Sequence, residues 1–134
     1  MKNTISLLLV ILAFSSCQNE SKIKIQKTSV KVIDGKTIKT TSDDYLTSDY
    51  FEISLEQYSD DKDNHKYFLA RKVLEEPKSV GDFKMEFLTI TDDNSENIQF
   101  SNSTEFLNFM SKNGYEMQSQ EKYKYRTEYT FKKK

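Results

Sequence analysis

Tryptophan is missing from this sequence, and proline (one), histidine (one), cysteine (one) and glycine (three) are close to missing among its 134 residues. Each scarcity closes a class of chemistry. With Cys17 alone there is no intrachain disulfide framework, no Cys-x-x-Cys redox pair and no cysteine-rich zinc site. With His65 alone, a histidine-based triad or multi-histidine metal centre needs a second molecule to complete it. No Gly-rich phosphate loop and no nucleophile elbow occurs. Neither sign of charge dominates: 20 basic residues face 21 acidic ones, and removing Lys2 leaves 19. That balance gives no reason to expect a nucleic-acid partner. The longest apolar run, Ile5 to Phe14, is interrupted by Ser6. It is about half the ~20 residues that a membrane-spanning helix requires.

Aromatic residues are plentiful instead. The chain has eight Tyr and nine Phe, and only Phe14 precedes Cys17. The remainder can furnish the core of a small folded body, which argues against disorder. The length suits one domain behind a short leader.

That leader has three parts: Lys2 with the amino terminus, the apolar run, and the small residues Ser15 and Ser16 before Cys17. The stretch Phe14-Ser15-Ser16-Cys17 resembles the lipobox of bacterial lipoproteins, with Phe14 in the place of the usual Leu, as in Bacteroidota examples. The resemblance implies a signal peptide over residues 1–16 that is cleaved before Cys17, whose thiol receives the lipid. Residues 17–22 are then the lipidated cysteine and a polar tether, and 23–134 a single α+β domain. A lone thiol in an exported protein is unusual, and an acylated one needs no partner. At about 0.8 kcal/mol per buried methylene, two or three acyl chains hold a domain firmly on a bilayer. The expected location is the cell envelope, at the outer membrane.

Along the mature chain, period-two alternation predominates. Ile23 and Ile25, then Val30, Val32 and Ile38, flank Asp34-Gly35, a hairpin signal. The change of parity between Ile25 and Val30 predicts a bulge or break, and Asp43 to Tyr50 reads as a loop. Phe51, Ile53 and Leu55 alternate with Glu52, Ser54 and Glu56 as in a half-buried strand. Residues 67–76 fit strand better than helix beside such neighbours, and Pro77 ends them. Phe83, Met85 and Phe87 share a face, and "ENIQF" is expected to return as a hairpin arm after the acidic turn at 92–97.

One helix is expected near the C-terminus. Asn102 or Ser103 can cap it, Glu105 lies in its first turn, Phe106, Leu107, Phe109 and Met110 form an apolar stripe, and Gly114 stops it. Beyond it Tyr123, Tyr125, Tyr129 and Phe131 share one parity, giving one long strand or a hairpin from Glu116. The fold class is therefore α+β: a mainly antiparallel sheet with one C-terminal helix packed on it. Leu107, Asn108, Gly114, Tyr115, Glu116 and Lys132 to Lys134 resemble the C-terminal pattern of small exported Bacteroidota proteins. Residues 98–134 are also similar to DUF4177-type β-α-β-β domains. The resemblance implies fold and location, and brings no reaction.

No residues stand out as a catalytic or cofactor site. The turns around Asp60, Asp61 and Asp63 and around Asp92, Asp93 and Glu96 read as solvated turns, with weak calcium binding as the minor alternative. Tyr123, Tyr125 and Tyr129 are expected in the core, Tyr45, Tyr50 and Tyr58 at the surface, and the terminal lysines at a protected strand edge. The expected function is that of a membrane-anchored, non-catalytic module. Its partners are the lipid bilayer, through acylated Cys17, and an envelope protein or polymer. The alternative is a hydrolase of envelope polymers using two carboxylates.

Overall fold

Among the described residues, alternating apolar and polar positions give seven strands of eight to ten residues, and one amphipathic stretch gives a helix. The computed structural model describes residues 22–60, 62–77 and 83–134. Its strands are β1 (Lys24–Ile33), β2 (Lys36–Tyr45), β3 (Tyr50–Ser59), β4 (Lys66–Glu75), β5 (Phe83–Thr91), β6 (Tyr115–Lys122) and β7 (Arg126–Lys133), with α1 (Ser103–Lys112) between β5 and β6. All pairings are antiparallel, in the order β2-β1-β5-β4-β3-β7-β6. The mainly antiparallel α+β class is as expected. The leader, Cys17 and Asp61 lie outside the described residues.

The core lies on one face, centred on β3 and β7. Phe51, Ile53 and Leu55 stand opposite Phe131, Tyr129 and Thr127 in register. From α1, the ring of Phe106 meets those of Tyr129 at 5.4 Å and Phe131 at 5.7 Å, and Phe100 meets Phe106 at 5.2 Å. Phe106 and Met110 are buried, Leu107 and Phe109 only partly so.

The helix ends are built as the residue types suggest. Asn102 Oδ1 accepts from the Glu105 N–H at 2.8 Å, and Glu105 Oε2 accepts from the Ser101 N–H at 2.7 Å, so two N-terminal donors are satisfied reciprocally. At the other end Gly114 has φ +88°. Lys134 Nζ donates to the Ser111 carbonyl at 3.2 Å, placing a cation on the negative end of the helix. A Cβ added at Gly114 would meet nothing within 4 Å, so a side chain there costs backbone strain and not collision. Gly114→Val is expected to lose about 1 to 2 kcal/mol of stability. Gly114→Asn, which tolerates the left-handed region, should lose much less. Thermal unfolding of the pair checks this: equal melting temperatures for Val and wild type would refute the helix stop.

Four expectations are corrected. β1 runs without a bulge, in continuous register with both neighbours. The parity change arises because Ile23 and Ile25 face the core while Val30 and Val32 join Met85 and Phe83 on the opposite face, so both faces carry apolar residues. Asp43 to Tyr45 are not loop but the end of β2, since pairing with β1 extends to Lys24↔Tyr45. "ENIQF" does turn back antiparallel on the end of β5, but only over the single bridge Thr91↔Asn97, with the Asp92 N–H donating to the Glu96 carbonyl and the Ile98 N–H to the Ile90 carbonyl. It makes no full hairpin arm, because the chain then crosses to β4, where Phe100 bridges Phe68 and its ring joins the core. The terminal lysines are not on an edge strand: β7 lies between β3 and β6.

Candidate functional site

On the sheet face opposite the core, the even-numbered residues of β3 and β7, the odd-numbered residues of β4 and, beyond the register shift of β6, Ser119 and Glu121 converge. Glu52, Ser54 and Glu56 lie opposite Thr130, Glu128 and Arg126; Arg71 lies opposite Ser54; Glu121 lies opposite Glu128. Together they line an open, polar cleft of about 630 Å³.

Arg71 is its best-held charge. Its guanidinium lies 4.3 Å from the centre of the Phe87 ring, and Nη1 is 3.7 Å from Glu56 Oε2. Nε is buried with no hydrogen-bond partner among the described residues, so one donor of the group is unspent. Glu56 Oε2 also accepts the Tyr58 hydroxyl at 2.6 Å, and Tyr58 stacks on Tyr67 at 5.8 Å. Burial, followed by the bond to Glu56, holds the Tyr58 hydroxyl above its ordinary pKa, with Arg71 opposing.

This shift has a testable sign. A raised tyrosine contributes stability that is complete below the ordinary value near 10 and is lost as pH rises through the folded value. Melting temperature should therefore fall above about pH 10, and less steeply in Tyr58→Phe. Glu56→Gln removes the second cause and should make Tyr58 ionise at lower pH, read by absorbance of tyrosinate. An alkaline limb identical in wild type and Tyr58→Phe would remove Tyr58 from this role.

At one end of the cleft stands the β6–β7 turn. Tyr123 and Tyr125 are 45% and 67% exposed, contrary to the expectation that they lie in the core; Tyr129 alone of the three is buried. The reason is that the strand breaks at 123–125, where the Tyr123 N–H donates to the Arg126 carbonyl and closes a turn. Arg126 lies over the Tyr123 ring at 4.7 Å and Lys124 over the Tyr125 ring at 5.0 Å. The Gln57 N–H holds the Tyr125 carbonyl at 3.1 Å, fixing the turn against β3. Tyr45 and Tyr50 are exposed as expected, whereas Tyr58 is half-buried.

The two acidic turns are occupied by their own backbone. Asp92 Oδ1 accepts from the Asn94 and Glu96 N–H groups at 2.9 and 3.0 Å, Asp60 Oδ1 accepts from Lys62 N–H at 3.0 Å, and Lys24 Nζ reaches the Asp93 carbonyl at 3.5 Å. No group of three or more His, Cys, Asp or Glu that could hold a metal occurs among the described residues. No helix among them is long and apolar enough to cross a membrane.

Sequence reading missed Arg71 and the Glu56–Tyr58 pair. The available signal was Tyr67, Leu69, Arg71 and Val73 on one parity: a cation set in an otherwise apolar and aromatic strand face. No family model, no curated protein and no solved structure matches the chain.

Proposed function

We propose that this protein is a lipid-anchored, non-catalytic binding module of the bacterial cell envelope. In this reading residues 1–16 are a cleaved leader, Cys17 is the acylated residue at the outer membrane, 18–22 are a tether, and 23–134 form one domain in which α1 covers the sheet. Kinship with small exported Bacteroidota proteins and with DUF4177-type domains belongs to the same proposal.

The observation that carries the binding role is the exposed pair Tyr123 and Tyr125, which line a hollow that adjoins the cleft and shares Glu56 and Arg126 with it, the cleft itself being lined by carboxylates and guanidinium groups. Tyrosine offers apolar area with a polar tip at low entropy cost, and its ring faces suit the C–H faces of sugars. Glu52, Glu56, Arg71 and Glu128 offer acceptors and donors to hydroxyls. An envelope glycan laid along the cleft fits this chemistry.

Two measurements test the proposal. Mass spectrometry of the N-terminal peptide from membrane-extracted protein should show diacylated or triacylated Cys17, and Cys17→Ala should leave the leader uncleaved. An unmodified Cys17 would remove the anchor. Immobilised residues 20–134 should retain purified envelope glycan, and Tyr123→Ala with Tyr125→Ala should weaken retention about tenfold, within the usual size of aromatic hot spots. Equal retention would remove the tyrosines from the site.

Glu121 and Glu128 sit directly opposite on β6 and β7. This like-charge pair in the cleft is the specific observation that favours the hydrolase reading, since glycoside hydrolysis uses two facing carboxylates. Release of reducing ends from bound glycan, abolished by Glu128→Gln, would replace the non-catalytic reading with that one.

A further inference from the structure

The two edges of the sheet differ in a way that points to self-association. β6, one edge, is interrupted by a register shift between Met117 and Ser119, the kind of irregularity that blunts an edge. β2, the other edge, pairs with β1 through ten successive residues without a shift. It contains no proline, and all ten of its residues are exposed.

Which backbone groups of β2 face outward follows from the hairpin. Asp34 and Gly35, at φ +50° and +73°, form a two-residue turn closed by Ile33↔Lys36. The closing pair of such a turn is hydrogen-bonded. Alternation then points the N–H and C=O of Lys36, Ile38, Thr40, Ser42 and Asp44 at β1, and those of Thr37, Lys39, Thr41, Asp43 and Tyr45 away from it. Two contacts agree. The Leu46 N–H, on the inward parity, donates to the Ile23 carbonyl at 2.8 Å, while the outward Tyr45 N–H turns to the Asp44 side chain at 2.8 Å.

The charges on this edge complement themselves. Lys36 and Lys39 occupy its first half, Asp43 and Asp44 its second. A parallel copy would set like charges side by side, whereas an antiparallel one sets opposite charges together. Two-fold symmetry about an axis normal to the sheet requires that paired residues share a face, so both numbers must have the same parity. With Thr41 on the axis, Lys39 of each copy lies opposite Asp43 of the other, and Thr37 lies opposite Tyr45. On its own chain Asp43 already receives Ser95 at 2.7 Å and Gln26 at 3.1 Å and pairs with Lys24 at 3.7 Å, which fixes the carboxylate in place, and its side chain is still 39% exposed.

We propose that β2 is a homodimerisation edge: two copies pair antiparallel through β2 about Thr41, making one sheet continuous across both. The inference is independent of the glycan reading, because the cleft lies on β3, β4, β6 and β7.

The test uses the full chain in its membrane. Thr41→Cys should give, on mild copper-catalysed oxidation, a reductant-sensitive species of twice the chain's mass, since directly opposed residues have Cα atoms about 5.5 Å apart, within disulfide reach. Thr37→Cys should not, because the two copies of residue 37 are about 27 Å apart at ~3.4 Å per residue. The parent chain with Cys17 alone sets the background. In the Thr41→Cys chain, Lys39→Glu alone and Asp43→Lys alone should each cut the yield tenfold or more, and co-expressing the two variants should restore it, because each then supplies the charge the other lacks. No crosslink at 41, equal crosslinking at 37 and 41, failure of the mixed pair to recover, or a product of another mass, which would mean a foreign strand on this edge, would each overturn the proposal.

Discussion

Phe106→Ala is expected to lower the unfolding free energy by about 3 to 5 kcal/mol, the range for truncating a fully buried aromatic residue. Phe106 has no exposed surface and touches three rings, those of Phe100, Tyr129 and Phe131, at centroid distances of 5.2 to 5.7 Å with steeply inclined planes. Loss of transfer free energy, a residual cavity, two edge-to-face contacts and one tilted ring contact therefore fall on one substitution. Phe109, one turn away and only partly buried, keeps one such contact, with Phe100 at 5.5 Å, so Phe109→Ala should cost clearly less. Urea unfolding measures both. If the midpoints of the two variants coincide, Phe106 is not the centre of this core.

The same comparison shows what periodicity can and cannot reveal. Phe106 and Phe109 both belong to the apolar stripe, and spacing alone cannot rank them; the ranking needs the positions of Phe100 and β7, which come from distant parts of the chain. Helix ends were legible because their chemistry is local: Asn102 and Glu105 supply the first turn's acceptors, and Gly114 accepts the positive φ. The strand hairpin at Asp34-Gly35 was legible for the same reason. Illegible features all depended on which face is covered. Tyr123 and Tyr125 have the parity of Tyr129, yet a turn separates them from it and leaves them exposed. Val30 and Ile25 differ in parity without a bulge because the sheet carries apolar residues on both faces.

The cleft illustrates the limit in another way. Glu56, Arg71, Glu121 and Glu128 come from four strands, and none has a neighbour in sequence that hints at the others. Their meeting is set by strand order, in which β7 returns to lie between β3 and β6. A sequence can mark a strand as half-polar, as with Glu52, Ser54 and Glu56. It cannot say which other half-polar strand will stand beside it. Only Arg71 carried a trace of the site, as a cation within an apolar parity set whose placement over Phe87 offsets part of the cost of holding charge there.

Tyr115→Ala is the second substitution with a large expected cost, again about 3 to 5 kcal/mol if it follows other buried aromatics, and here the loss should be divisible. Tyr115 opens β6 directly after Gly114 and has no exposed surface. Its hydroxyl donates to the Ser48 carbonyl at 2.8 Å, in the connection between β2 and β3. Nearby the Lys133 N–H donates to the Asp49 carbonyl at 2.7 Å, so the end of β7 and the start of β6 jointly hold that connection. Tyr115→Phe keeps the ring and removes only the hydroxyl, leaving the carbonyl of the exposed Ser48 without that donor; the cost should be about 0.5 to 1.5 kcal/mol, the net worth of one hydrogen bond whose acceptor water can reach. The remainder, up to the Ala value, belongs to the ring. Amide hydrogen exchange separates the two parts: Tyr115→Phe should speed exchange chiefly across residues 46–50, whereas Tyr115→Ala should also speed it in α1 and β6, whose junction the ring fills. Unchanged exchange at 46–50 in the Phe variant would mean that the hydroxyl does not hold the connection.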